Sequence, residues 1–114
     1  MPFIRVETNI SLDDEDKQQF IKKFSGAAAR MLAKPESYVM IALDAAKPLV
    51  FGGNGEPAAH VSLGSIGLAR ESCPELSAGI CKLLEAELSI PQNRIYIDFR
   101  DLEGGMFGFN GKTF

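Results

Sequence analysis

The sequence is poor in the residues that form disulfides and metal centres. Its 114 residues include one histidine and two cysteines, Cys73 and Cys81. The two cysteines lie on one predicted helix, about 12 Å apart along its axis, whereas a disulfide needs Cα atoms within about 7 Å. A structural zinc ion needs four ligands, usually cysteine or histidine. The sequence therefore predicts neither a disulfide nor a metal site.

Clusters of positive charge and long apolar runs are also missing. The twelve Lys and Arg residues are scattered, and fifteen Asp and Glu residues bring the net charge to −3. The chain therefore lacks the clustered basic residues that bind nucleic acid or an anionic membrane surface. No run approaches the roughly 20 apolar residues of a membrane span, and the start does not resemble a signal peptide. We expect no nucleic-acid or membrane partner and a cytoplasmic location, with leaderless secretion left open.

What the sequence does contain is enough apolar material for a core. Hydrophobic residues make up 46% of the chain, and eight of them are phenylalanines. A chain of this length fits one globular domain, so we interpret residues 1–114 as a single domain.

The first half of the chain has a β-α-β pattern. Residues 2–8 alternate with period two, which predicts a strand. Ser11, three residues before Asp14, predicts the start of a helix whose apolar residues recur at helical spacing. Pro35 follows that helix, and the continuous apolar run at 38–43 predicts a strand buried on both faces.

The second half repeats this order. A strand is predicted around 59–63, a helix from Ser72, and a last strand after Pro91. Pro35 and Pro91 are 91 − 35 = 56 residues apart, and the same offset carries the first strand onto the third. We therefore divide the chain into two pseudo-repeat halves, about 2–50 and 58–100, and a tail at 104–114.

Two β-α-β units side by side predict an α+β fold. The units form a four-stranded mixed sheet with both helices on one face. The tail alternates aromatic residues with glycines and predicts a short hairpin or an extra edge strand. The second face of the sheet is left bare, and we expect its apolar residues to be covered by another subunit. The pattern thus predicts an oligomer.

Pro2 is the first candidate for chemistry. Removal of Met1 would leave Pro2 with a free secondary amine at the terminus. A free α-amino group has a pKa of about 7.7–8.0, and burial or a nearby cation lowers that pKa. Such a group can act as a base near neutral pH. The alternative is that Pro2 only protects the terminus.

The other candidates each have an ordinary structural explanation. Lys34 can satisfy carbonyls at a helix end. Tyr38 and Tyr96 can serve as packing residues, and His60 can hydrogen-bond within the sheet. Residues 65–67 end a strand, where a free backbone N–H could bind an anion or where the chain could simply turn. None of these signals is specific by itself.

In combination, the motifs resemble those of the macrophage migration inhibitory factor family. The match is collinear over the whole chain, and that family belongs to the tautomerase superfamily. The resemblance implies β-α-β units, an amino-terminal proline base, and homotrimers whose sheets line a central barrel. The matching motifs are Pro2 before a strand, Lys34-Pro35, Phe51-Gly52-Gly53, Glu56-Pro57, Ser62-Leu63, Ser65-Ile66-Gly67, Pro91-x-x-Arg94-Ile95-Tyr96-Ile97, and Asn110 followed by Thr113-Phe114.

The resemblance also implies an activity. It implies an isomerase without metal or cofactor that interconverts keto and enol forms of small aromatic 2-keto acids, such as phenylpyruvate and hydroxyphenylpyruvate, and of dopachrome-type compounds. Pro2 would be the base, Lys34 and the backbone of Ile66 would hold the substrate, and Tyr96 would come from the neighbouring subunit. The remaining pocket residues implied by position are Phe3, Tyr38, Ser65, Asp98, Phe107, Phe109 and Phe114.

The sequence departs from the family in ways that bear on function. Animal members carry a Cys-x-x-Cys motif where this chain has Ala58-Ala59-His60-Val61, so we expect no thiol–disulfide activity. Asp98 replaces an asparagine and Phe109 a tryptophan. The added carboxylate would repel anionic substrates and could lower the rate. The arginine of animal cytokines is missing at 11–14, which indicates a non-animal type of member.

Two alternatives to the enzyme remain open. One is a cytokine-like binding or signalling protein in which tautomerase activity is weak or vestigial. The other is a purely structural oligomer. Retained partner binding after replacement of Pro2 would favour the first, and a pocket that binds no aryl acid would favour the second.

Overall fold

The computed structural model describes residues 1–114 and contains one mixed sheet of four strands. The strand order is β2-β1-β3-β4, in which β1 pairs antiparallel with β3, while β1–β2 and β3–β4 are parallel. The α+β prediction is therefore confirmed. The strands are β1 (Phe3–Thr8), β2 (Met40–Asp44), β3 (Ala59–Ile66) and β4 (Ile95–Leu102), and the helices are α1 (Asp14–Leu32) and α2 (Cys73–Leu88).

Both helices pack on the same face of the sheet. Period-two alternation places one set of β1 and β3 side chains on that face, and helical spacing gives α1 and α2 matching apolar stripes. The core is therefore a single layer between helices and sheet. Its fully buried members include Ile4, Val6, Phe24, Ala28, Val61, Ile80 and Leu84. Neither helix has both the length and the apolar character needed to cross a membrane.

The two halves change from helix to strand in the same way. Each helix is followed by a residue with left-handed backbone, Ala33 (φ 53°) and Ser89 (φ 56°). These residues are 89 − 33 = 56 positions apart, and so are the short 3₁₀ turns Glu36–Tyr38 and Gln92–Arg94. In each half the left-handed residue donates its backbone N–H to a carbonyl in the last helical turn. The 56-residue offset of the sequence is thus also an offset of element boundaries.

The first helix begins later than the sequence pattern suggested. Its N-cap is Asp13, whose side chain accepts a hydrogen bond from the Asp16 N–H at 2.8 Å. The prediction that Ser11 caps this helix is wrong. Carboxylates at the amino end of a helix are stabilised by its dipole, and Asp13 brings such a charge directly to the free N–H groups.

The second strand is shorter and more exposed than predicted. It begins at Met40, because Glu36–Tyr38 form a 3₁₀ turn instead of strand. It also lies at the edge of the sheet, and Met40 is exposed while the rest of β2 is half-buried. The prediction of a strand buried on both faces is therefore wrong. Apolar continuity alone did not reveal which strand would become an edge.

The sheet face opposite the helices is charged. Arg5, Ser62 and Asp98 form one cross-strand row on this face, and Glu7, His60 and Tyr96 form the next. The expectation that this bare face is apolar is wrong, because charged side chains are interspersed on it. The helix-facing residues of β1 and β3, in contrast, are apolar except for Thr8 and Ser65. Three of the large exposed apolar side chains, Phe3, Met40 and Tyr96, also lie on this face. The others lie near β2, in the linker between the halves (residues 47–57) and in the tail: Tyr38, Val50, Met106, Phe109 and Phe114. The oligomer stays a prediction.

The tail forms the short hairpin that its sequence predicted. Strands β5 (Gly108–Phe109) and β6 (Lys112–Thr113) pair antiparallel. The tail returns to its own beginning, because the Phe114 N–H is shared between the carbonyls of Gly104 at 3.1 Å and Phe107 at 3.2 Å. The hairpin therefore places the last phenylalanine against the segment that follows β4.

Arg94 holds the linker between the two halves. Its guanidinium donates to the carbonyls of Pro57 at 2.9 Å, Phe51 and Glu56 at 3.0 Å, and Asn54 at 3.3 Å. It also lies 5.2 Å from the centre of the Phe51 ring. The only strand-type pairing in the linker is an isolated bridge between Phe51 and Asn54, so the linker depends on side-chain donors such as this one.

Replacing Arg94 with lysine should destabilise the protein by about 2 kcal/mol. Lysine keeps the charge but cannot donate to four carbonyls in a fixed fork, and unpaired carbonyls cost free energy. Urea unfolding monitored by circular dichroism measures the change. The control is Arg30→Lys, at an exposed helical position without side-chain hydrogen bonds, which should leave stability within about 0.5 kcal/mol. Equal stabilities of the two variants would contradict this role for Arg94.

Candidate functional site

Pro2 is fully buried at the start of β1. Its carbonyl accepts a hydrogen bond from the Met40 N–H at 3.0 Å. The pairing of Phe3 with Gly64, continued by one residue, places Pro2 opposite Ser65 on β3. Side chains directly opposite each other in antiparallel strands lie about 5 Å apart. The proline ring is therefore fixed between β2 and β3.

Lys34 places a positive charge beside the amino end of the chain. It follows the α1 cap, and its backbone N–H donates to the Ala29 carbonyl at 3.0 Å. Burial, and secondly the charge of Lys34, lower the pKa of the Met1 α-amino group below its ordinary value. Both effects disfavour an ammonium ion at this position.

A small cavity of about 130 Å³ lies between the end of α1, the end of β3 and the start of α2. Lys34, Ser65 and Gly67 contribute to its wall, together with apolar residues that include Leu32 and Leu76. The Ser65 hydroxyl is buried and has no hydrogen-bond partner. A buried hydroxyl without a partner is costly, so Ser65 has an unused donor and acceptor next to Pro2.

Four of the five aromatic residues expected to form pocket walls come together, and Phe3 lies outside this cluster. Tyr38 packs edge-on against Phe109 and Phe114, with ring centres 5.7 and 6.2 Å apart. Phe109 and Phe114 stack at 5.2 Å, and Phe107 lies 6.1 Å from Phe114. The 3₁₀ turn before β2 and the tail hairpin supply these rings, although they are far apart in sequence.

A second cavity, of about 310 Å³, opens on the charged face of the sheet next to Phe3 and Phe107. Sequence reasoning did not single out Leu102 and Arg100, which also line it. Leu102 reaches the cavity because it pairs with Ile66 across β3–β4. This register is a property of the folded sheet, and no motif in the sequence pointed to it. Gly64 forms part of the wall, and a Cβ atom there would lie 3.0 Å from Leu102.

Tyr96 and Asp98 lie apart from the Pro2 group. Both belong to the charged face of β4, two strands away from β1. The Tyr96 side chain is 68% exposed and packs on Phe51 at 4.9 Å between ring centres. One protomer therefore brings Pro2, Lys34, Ser65, Ile66 and the aromatic rings to one end of the sheet, but leaves Tyr96 and Asp98 outside that group.

Asp98 is held by three donors on the charged face. Its carboxylate accepts from His60 Nε2 at 2.8 Å, Ser62 Oγ at 3.0 Å and Arg100 Nε at 3.2 Å. Burial raises the pKa of Asp98, but the hydrogen bonds and the Arg100 charge outweigh it, so the pKa lies below its ordinary value. Asp98 is an ionised carboxylate at neutral pH.

The side chains do not assemble a metal centre. No three His, Cys, Asp or Glu residues are arranged to hold a metal ion. Cys73 and Cys81 are both free thiols.

Comparison with known proteins gives matches over the full length. A model of the family "Macrophage migration inhibitory factor (MIF)" matches residues 1–114. A macrophage migration inhibitory factor homolog from Brugia malayi is 42% identical over 115 aligned residues, covering 100% of this chain and 99% of the relative. D-dopachrome decarboxylase-B from Xenopus laevis is 32% identical and is aligned over 97% of this chain and 95% of its own length.

Solved structures give the same result. The crystal structure of a macrophage migration inhibitory factor homologue from Prochlorococcus marinus superimposes with a TM-score of 0.91 at 35% identity. The alignment covers 98% of both chains. The fold is therefore shared over essentially the whole chain.

Proposed function

Because the chain belongs to the macrophage migration inhibitory factor family, we propose that it is a keto–enol tautomerase that needs no cofactor. Pro2 is the general base in this proposal, and it acts after Met1 has been removed. The substrate is a small aromatic 2-keto acid such as phenylpyruvate or hydroxyphenylpyruvate. The relative named D-dopachrome decarboxylase-B supports a dopachrome-type compound as a further substrate.

The observation that carries the proposal is the environment of the amino end. The Met1 amine already has a lowered pKa because of burial and the Lys34 charge. Pro2 lies one residue deeper and is fully buried. Once Met1 is removed, we expect the Pro2 amine to experience the same two influences, which lower the pKa of an amine and favour its neutral form. A neutral amine is the form that a general base requires.

The reaction needs only proton transfers. Pro2 nitrogen takes a proton from the carbon beside the keto group, and the electrons of that C–H bond form the enolate. The enolate oxygen then takes up a proton, and Pro2 returns to its neutral form by giving its proton away. Lys34 pairs with the substrate carboxylate, the backbone at Ile66 contacts the substrate, and the aromatic rings receive its ring.

In this proposal the complete site lies between subunits of a homotrimer. Tyr96 and Asp98 are two strands away from Pro2 in one protomer, so a neighbouring subunit would supply them. The apolar side chains that remain exposed near β2 and the tail suit burial in such an assembly. Sedimentation equilibrium should give about three times the 12.4 kDa chain mass.

The test compares the free proline with an acylated one. The wild-type protein, shown by intact mass to lack Met1, should catalyse the loss of phenylpyruvate enol absorbance. A variant with one alanine inserted between Met1 and Pro2 retains the proline, but the proline nitrogen becomes part of a peptide bond and is no longer basic. We expect activity to fall at least about 100-fold, the usual contribution of a general base.

Stability of the insertion variant is the control. Its circular dichroism spectrum and urea midpoint should match those of the wild type, because the insertion is confined to the terminus. Equal activity of the two proteins would refute Pro2 as the base. Absence of activity in Met1-free wild type would refute the tautomerase function and would favour a binding role.

A further inference from the structure

His60 is held between two carboxylates on the charged face of the sheet. Its Nδ1 lies 3.1 Å from Glu7 Oε1, and its Nε2 lies 2.8 Å from Asp98 Oδ2. Glu7 is on β1 and Asp98 on β4, so His60, on the central strand β3, connects the two neighbouring strands. This triad of Glu7, His60 and Asp98 has no part in the proton transfers at Pro2.

The geometry favours the protonated form of His60. A neutral imidazole carries one N–H, so one of the two contacts would then place a ring lone pair against a carboxylate oxygen. Only the imidazolium ion donates to both carboxylates. In agreement with this geometry, the hydrogen bond to Glu7 and the Asp98 contacts raise the pKa of His60 above its ordinary value, although burial opposes them.

Other charges around the triad stabilise its two carboxylates. On β1 and the segment after β2, Arg5 and Lys47 lie near Glu7, and Lys47 pairs directly with it. Hydrogen bonds from Lys47 and His60 lower the pKa of Glu7 to about 2. On the β4 side, Arg100 binds Asp98, and Tyr96 is the residue opposite His60 in the β3–β4 register. Asp44 is engaged by Arg5 at 2.9 Å.

We propose that His60 is a positioning residue that fixes and neutralises Asp98 and thereby makes the binding of anionic substrates depend on pH. The proposal rests on the proposed function, in which Asp98 of one subunit borders the substrate pocket of the next. An unneutralised carboxylate there would repel the substrate carboxylate. His60 offsets that repulsion as long as it carries its proton.

The direction of the pH effect follows from this arrangement. Below the pKa of His60, the imidazolium binds both carboxylates and Asp98 is neutralised. As the pH rises through that pKa, one contact is lost and the Asp98 charge is less compensated. The KM for phenylpyruvate should therefore rise by about three- to tenfold, the effect of one charge at several Å near a surface. A neutral ester of the substrate should show no such rise.

The Pro2 base gives a pH effect of opposite sign. Protonation of Pro2 lowers kcat/KM on the acid side, because a base must be neutral to accept a proton. Loss of the His60 proton raises KM on the alkaline side. The acid and alkaline parts of the pH profile of kcat/KM can thus be assigned separately by fitting kcat and KM individually.

The first experiment titrates His60 by proton NMR. The chain has a single histidine, so its Cε1–H resonance needs no assignment. We expect a midpoint above 6.5, which Glu7→Gln and Asp98→Asn should each lower. A wild-type midpoint at or below 6.5, or one that neither variant changes, would overturn the proposal.

The second experiment measures KM for phenylpyruvate between pH 6 and pH 9. The variant His60→Gln cannot titrate but keeps a hydrogen-bonding side chain, so its KM should be independent of pH. If this variant keeps the wild-type pH dependence of KM, His60 does not control binding. If no tautomerase activity is found, the proposed function fails, and the same comparison is made with the dissociation constant of phenylpyruvate.

Discussion

Replacement of Pro2 by glycine should lower kcat/KM for phenylpyruvate by about 10²- to 10³-fold. Glycine is also small enough to allow removal of Met1, so the variant keeps a terminal amine. That amine is no longer part of a ring, and the backbone of glycine is free to rotate, so the base is not held in position. A positioned general base contributes about 10²- to 10⁴-fold to a rate, and part of this should survive in a mobile amine.

The measurement needs three controls. Intact mass must show that both proteins lack Met1, and urea unfolding must show similar stability. Pro48→Gly tests the same chemical change at an exposed linker position and should leave the rate unchanged. Equal kcat/KM for Pro2→Gly and wild type would exclude Pro2 as the base, even if the protein were active.

Replacement of Lys34 by methionine should raise KM for phenylpyruvate by about 10- to 100-fold. Methionine has a similar length but cannot pair with a carboxylate, and a hydrogen bond to a charged group contributes about 1.5–3 kcal/mol. The same change should raise the pKa of the Pro2 amine, because the Lys34 charge lowers the pKa of the amine at this end of the chain.

Two readouts separate these effects. KM reports loss of the carboxylate partner, and the acid limb of the pH profile of kcat/KM reports the pKa of the base, which should move to higher pH. Lys22→Met, at an exposed α1 position, is the matched control and should change neither. An unchanged KM in Lys34→Met would show that the substrate carboxylate binds elsewhere.

Local patterns in the sequence were sufficient for much of the fold. Periodicity of two around Phe3 and of 3.6 around Phe24 depends only on which face of an element is buried, so the strand and both helices could be predicted. The offset of 56 residues between Pro35 and Pro91 indicated the repeat of two β-α-β units. The motifs around Pro2, Lys34 and Tyr96 identified the family, which the comparisons confirm.

Element boundaries and exposure were less predictable. Asp13 replaced Ser11 as the helix cap, because several residues nearby can accept the same N–H groups and only the path of the chain selects among them. The run at 38–43 was apolar throughout, yet β2 became an edge strand. Strand order depends on how units pair, which the composition of one strand does not specify.

By itself, the sequence determined which segments become helices and strands and that the two halves repeat. It also indicated which residues could take part in binding or catalysis. The tertiary structure alone decided which of those residues become neighbours. Glu7, His60 and Asp98 are separated by 53 and 38 positions along the chain, and strand pairing brings them into contact. Contacts of this kind depend on the register between strands that are distant in sequence. A shift of one residue in the register of a strand would move each of its side chains to the opposite face of the sheet.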